Sequence, residues 1–218
     1  HTDGSGLTLN STNKIMFNDA SQFIQGSSAT VLSLGATDEI DLTATALDFN
    51  GTVAISGDVT IETGADLLTA SAGSDNIRIG ENAGNSIASG GTSNITIGKD
   101  AGTAISTGDF NIAIGQDALK TEDAHGGNIA IGYEALETQD AGANAFSVAV
   151  GHQAGKSITT GIQNTLLGGL AGDALTDADF NVALGYGALT ADTLGSMSVA
   201  VGYTALGTQN MTTATNAL

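Results

Sequence analysis

Residues able to do chemistry are sparse in this chain and badly spaced for it. Its three histidines, His1, His125 and His152, form neither an HxH nor an HExxH pair, so no short element offers two imidazoles to one metal. No GxSxG elbow presents a serine nucleophile. With no cysteine, thiolate ligands and disulfides are excluded as well. Carboxylate neighbours such as Glu122 and Asp123 are the groups that glycan hydrolysis uses, but two adjacent acids in a polar stretch read as a solvated turn. Residues 71–84, SAGSDNIRIGENAG, resemble calcium-binding glycine and aspartate repeats in composition, yet no nonapeptide period follows them. The sequence therefore predicts no catalytic residue, no metal site and no cofactor. Binding is better served. Tyr133, His152, Tyr186 and Tyr203 occupy equivalent places in a repeat, alongside Glu81 and Lys99, whose charges predict a column facing water. Such rings could stack on sugars.

The repeat positions these rings. A short apolar run, a glycine, two variable residues and an alanine recur eight times, from NIRIGENAG at Asn76 through NIAIGQDAL at Asn111 to SVAVGYTAL at Ser198. The glycines are Gly80, Gly98, Gly115, Gly132, Gly151, Gly168, Gly185 and Gly202, at intervals of 18, 17, 17, 19, 17, 17 and 17. Three residues after them stand Ala83, Ala101, Ala118, Ala135, Ala154, Ala171, Ala188 and Ala205, which predicts a methyl-sized slot in every unit. The next position is Gly84, Gly102, Gly155 or Gly172 in half the units and Leu119, Leu136, Leu189 or Leu206 in the others. After glycine, the residue three further on is Ile87, Ile105, Ile158 or Leu175; after leucine it is Glu122, Gln139, Asp192 or Gln209. One large aliphatic group per unit, supplied from either of two places, suits a core slice of fixed volume. Gly98, Gly115 and Gly132 recur with the same spacing at Gly168, Gly185 and Gly202, so a four-unit block is duplicated, as a stackable fold allows.

Phe110, Ile112 and Ile114 alternate with Asn111 and Ala113, which is the period of a strand. A unit of about 17 residues is too short for a βαβ crossover of about 30. It can circle once through two short strands and two turns. The fold class predicted is all-β: a parallel β-solenoid of about eight 17-residue rungs, stacked about 4.8 Å apart. Asn76, Asn94, Asn111, Asn128, Asn164 and Asn181, with Ser147 and Ser198, then form a ladder of side-chain hydrogen bonds. Ala113, Ala130, Ala149, Ala183 and Ala200 fall on the alternate face. A column of alanine there predicts the close approach of another chain, and three chains around one axis would bury such thin coils. The extra residues near Gly90 and Gly91, and in 140–145, predict bulges at turns.

Composition narrows the class. Thirty-one glycines, no proline, no tryptophan and 13% charged residues describe thin layers, while 41% hydrophobic residues in regular clusters argue against disorder. A formal net charge of −18 repels nucleic acid and anionic lipid. No apolar run approaches the roughly 20 residues that span a bilayer. The first residues lack a signal-peptide pattern, and a start at His1 reads as a fragment or processed product. Residues 1–70 lack the repeat but alternate at Leu7 and Leu9, Ile40 and Leu42, Leu47 and Phe49, Val53 and Ile55, and Val59 and Ile61. They are predicted to form an irregular β shaft, with residues 71–218 as the solenoid domain.

The NIAIG and SVAVG units, each followed by alanine, resemble the repeats of trimeric autotransporter adhesin heads. That resemblance implies left-handed parallel β-rolls packed as trimers. The stretch 17–61, FNDASQFIQGSSATVLSLGATDEIDLTATALDFNGTVAISGDVTI, together with the NIAIG units, resembles tail-fibre and structural proteins of marine bacteriophages, especially those infecting cyanobacteria. The second resemblance implies a non-enzymatic homotrimeric fibre segment of a virion, contacting other fibre or virion proteins and a host surface glycan or protein. A bacterial surface adhesin head and a glycan-cleaving tailspike are the alternatives. No nucleic-acid partner and no membrane insertion are expected.

Overall fold

The structure, a computed structural model, describes residues 15–17, 19–28, 31–35, 40, 56 and 73–211. The chain divides into two compact units, His1–Thr60 and Ile61–Leu218. Residues on either side of the expected boundary at 70 and 71 lie outside those described. In the first unit, β1 (Ile15–Phe17), β2 (Asp19–Ser28) and β3 (Val31–Gly35) form an antiparallel sheet in the order β1-β2-β3. Ile24 pairs with Ile15 on one side and Leu34 on the other. None of the alternating pairs named above falls in these strands, and apart from Ile40 they lie outside the described residues. The apolar pattern of Phe17, Phe23, Ile24, Leu32 and Leu34 was the available signal.

The second unit is a β-solenoid. Eight three-residue strands stack in parallel in sequence order: β4 (Ile77–Ile79), β5 (Ile95–Ile97), β6 (Ile112–Ile114), β7 (Ile129–Ile131), β8 (Val148–Val150), β9 (Thr165–Leu167), β10 (Val182–Leu184) and β11 (Val199–Val201). Each pairs without slippage, as Ile112, Ala113 and Ile114 do with Ile129, Ala130 and Ile131. Each rung carries one such strand rather than the two expected, and turns complete the circuit. The backbone explains the brevity. Two residues before each strand the chain has a left-handed φ, 58° at Phe110 and 59° at Phe180, and the glycine after the strand is also positive, 128° at Gly115. Only four residues fit between, the ladder residue and the three of the strand. Gly115 has a second reason to be glycine: a Cβ there would lie 2.5 Å from the Gly132 carbonyl oxygen of the next rung.

The inside and outside of the coil are the reverse of the alanine expectation. Ala113, Ala130, Ala149 and Ala183 have no exposed surface and Ala200 has 2%, but they are buried in their own chain's core with Leu119, Leu136 and Leu189. Thr96 and Leu166, which interrupt the column, are equally buried. The isoleucines and valines flanking them point outward and stay partly or largely exposed. A rung with leucine after the repeat alanine has room for only a methyl beside it, and the larger Thr96 and Leu166 stand in rungs that have Gly102 and Gly172 at that place, where a Cβ would meet them at 2.8 and 3.0 Å. The repeat alanines Ala83, Ala101, Ala118, Ala135, Ala154, Ala171 and Ala188 are buried as expected, and Ala205 packs against the core partly buried.

The exchange of large side chains is geometric. A Cβ on Gly102 would sit 2.7 Å from Ile105 Cδ1, so the two residues claim one space. In the other rungs leucine takes it directly, at a left-handed φ of 48° in Leu119 and Leu136. The ladder also forms. Asn111 N donates to Asn94 Oδ1 at 2.9 Å, Asn128 N to Asn111 Oδ1 at 3.1 Å, and Asn164 N to Ser147 Oγ at 3.3 Å. Both insertions fall at turns. Gly142, Ala143 and Asn144 are exposed, although Asn144 Oδ1 accepts a hydrogen bond from Gly126 N at 2.9 Å and so ties the longer loop to the rung before it.

Candidate functional site

Two groups of side chains stand out from the regular stack. The first is the column following the repeat glycine. Tyr133 and His152 stack with ring centroids 5.2 Å apart, and Tyr186 and Tyr203 with centroids 5.8 Å apart. The structure thus brings the four predicted residues into two stacked pairs, with Gly169 on the rung between them. Tyr133, Tyr186 and Tyr203 are 40%, 52% and 78% exposed. Water reaches this column, as its charges implied, and Lys99 lies 3.7 Å from Glu81 within it.

Tyr133 is tethered through its hydroxyl. That group donates to Glu134, and the hydrogen bond to a carboxylate raises the phenol above its ordinary pKa. Glu134 also accepts from Lys156 Nζ and from Gln153 Nε2, the latter at 2.7 Å. Those donors, Lys156 foremost, hold its carboxyl at about 2. One ring of the column is therefore fixed by an ion-pair network spanning two rungs.

The second group was not foreseen. Glu122, Asp123, His125 and Asp140 place four potential ligand atoms within 4.8 Å of one another, the one such set among the described residues. Asp123 and Asp140 are exposed and His125 is half-buried, whereas Glu122 has no exposed surface. The reading of Glu122 as part of a solvated turn is thus corrected: it stands in the inward column filled elsewhere by Ile105 and Ile158. Gln139 and Asp192, at the same place in their rungs, are buried as well, and the longer fourth loop changes what Glu122 bonds to. In other rungs the ladder amide donates to a backbone carbonyl of the following turn, as Asn111 does to His125 O at 2.9 Å. Beside the insertion, Asn128 Nδ2 turns to Glu122 Oε2 at 3.5 Å, and His125 N donates to Oε1 at 3.3 Å. Burial raises the Glu122 carboxyl to about 7, with the donor from His125 opposing the rise. His125 Nδ1 lies 3.5 Å from the same carboxyl, buried and without a hydrogen-bond partner. These are oxygen and nitrogen ligands that a divalent cation could use. The signal in the sequence was a lengthened loop beside an acid at an inward position.

No family model, curated protein or solved structure matches the chain.

Proposed function

We propose that the chain is a non-enzymatic structural segment of a homotrimeric fibre, most consistent with a bacteriophage tail fibre outside the cell, projecting or carrying contact with a host receptor. The observation that carries this reading is the outer face of the solenoid sheet. Its two flanking columns hold sixteen side chains, of which Thr165 alone is not Ile, Val or Leu. Seven steps between rungs make this stripe about 34 Å tall. Val182, Leu184, Val199 and Val201 are 37%, 45%, 49% and 62% exposed, and Phe110, Phe146 and Phe180 border them at 67%, 56% and 44%. A contiguous apolar stripe on so acidic a chain marks a contact surface.

Copies of the same chain fit this stripe best. A second parallel copy repeats the rung spacing and can continue contact from end to end, while the acidic groups remain elsewhere on the coil. The phenylalanines support the same reading. A bulky residue at a left-handed φ is a costly choice, and glycine does the backbone's task at Gly127. Phenylalanine at Phe110 and Phe180 gains its return where the ring is covered by another chain. Three chains around one axis replace the alanine contact with an isoleucine and valine contact, leaving the proposed symmetry unchanged. Light scattering on the purified chain tests this: a mass three times the 21.5 kDa of one chain is expected, and a folded monomer overturns it. Cleavage of a host polysaccharide would instead select the tailspike alternative.

A further inference from the structure

We propose that the missing ring at Gly169 is a slot that clamps one neutral pyranose between His152 and Tyr186. Residues 152, 169 and 186 lie one above another: Leu170 N donates to His152 O and Gly187 N to Gly169 O, each at 2.9 Å. His152 is stacked on Tyr133 from one side, and Tyr186 on Tyr203 from the other. Each inner ring therefore has one ring partner only, and the rung between the two carries no side chain, with the Tyr186 ring 3.4 Å from where a Cβ on Gly169 would stand. The residues of the two inner rings are two steps apart, about 9.6 Å. A ring in contact with a neighbour on each side needs about 7–8 Å, with a little more for the pucker of a chair.

The glycine has no backbone reason to be there. Unlike Gly168, whose φ is 132° and whose Cβ would meet the next rung's backbone at 2.6 Å, Gly169 has an ordinary φ. A Cβ on it would make only ordinary contacts, 3.4 and 3.5 Å to the Tyr186 ring and 3.8 Å to His152 O. A side chain is allowed, and its absence leaves space beneath an aromatic ceiling. The outer pairs stiffen the walls, most firmly at Tyr133 through Glu134 and Lys156. Limited loss of freedom on binding favours a small rigid site.

The slot's chemistry selects its occupant. Two aromatic faces ask for a ring that is apolar above and below, which a pyranose with all substituents equatorial provides. The surrounding net charge of −18 disfavours uronic and sialic acids. A glucose-configured, uncharged residue of a polysaccharide fits best. The inference stands on the ring column alone, so a chain that failed to form trimers would still carry it.

The probe is cellohexaose, titrated into the 218-residue chain while the ring protons of His152 are followed by NMR. Saturable shifts are expected, weakened at least tenfold in Gly169→Tyr, which fills the empty rung and completes the ladder. Ala143→Ser, a change in the exposed fourth loop, is expected to bind within about threefold of the original chain. Circular dichroism checks that both variants fold. No shift at millimolar cellohexaose overturns the proposal. So does a Gly169→Tyr variant that binds as well or better, because an extended ring track would then be the site.

Discussion

Glu122 is the residue whose burial has the clearest consequence. Its carboxyl is raised to about 7 from an ordinary 4.5, chiefly by burial, so the unfolded chain gives up this proton first. Between about pH 4.5 and 7 the folded state holds a proton that the unfolded state has lost, and stability falls as pH rises through that window. Each tenfold difference in proton affinity is worth about 1.4 kcal/mol, giving a total near 3 kcal/mol. His125, Asp123 and Asp140 face the same carboxyl and shape the curve. In Glu122→Gln this component should vanish: urea unfolding at pH 5 and pH 8 should differ by about 3 kcal/mol less than in the original chain. An unchanged pH dependence would place the carboxyl in water. Glu134 has the opposite sign. Held at about 2 by Lys156 and its other donors, it adds stability above its unfolded pKa and loses it as pH falls toward 2.

A rung tolerates its large side chain in either of two places, and that rule can be tested by moving one. Leu136 is fully buried at a left-handed φ, and Gln139, three residues on, is buried with Oε1 unpartnered. Leu136→Gly should cost about 2–5 kcal/mol, as removal of a core leucine does. Adding Gln139→Ile rebuilds the arrangement of Gly102 and Ile105, and should recover about 1–3 kcal/mol of coupling in denaturant unfolding. Purely additive effects would refute the shared space. This exchange was legible because a repeat shows each substitution beside its compensation. The sidedness of the strand was legible too, but needed two columns read together. Period two says which residues share a face, not which face is inside. The ladder of Asn111 and Asn128 must lie inside, where its amides meet rung to rung, and Ala113 and Ala130 have the same parity as that ladder. Reading Ala113 as a contact between chains separated two columns that the pleat keeps together. The Glu122 cluster was illegible for a different reason: its acids and histidine come from two rungs, and they meet only through the stacking of one rung on the next.

The parity of the strands also decides how the molecule can assemble. With alanine inside, changes there act on the fold: Ala113→Glu buries an unpaired charge and should unfold its rung before it affects any partner. The outward columns behave differently. Leu184 and Val182 are 45% and 37% exposed in the single chain, so carboxylates placed there meet water while the chain is alone and meet one another when copies pack around an axis. Measuring the mass of Val182→Glu/Leu184→Glu by light scattering, with circular dichroism to confirm its sheet, tests the assembly most directly. The expected result is a folded monomer of 21.5 kDa beside an original chain at three times that mass. A folded variant that still assembles as a trimer would contradict the proposed interface, since the isoleucine and valine face would then not be where the chains meet.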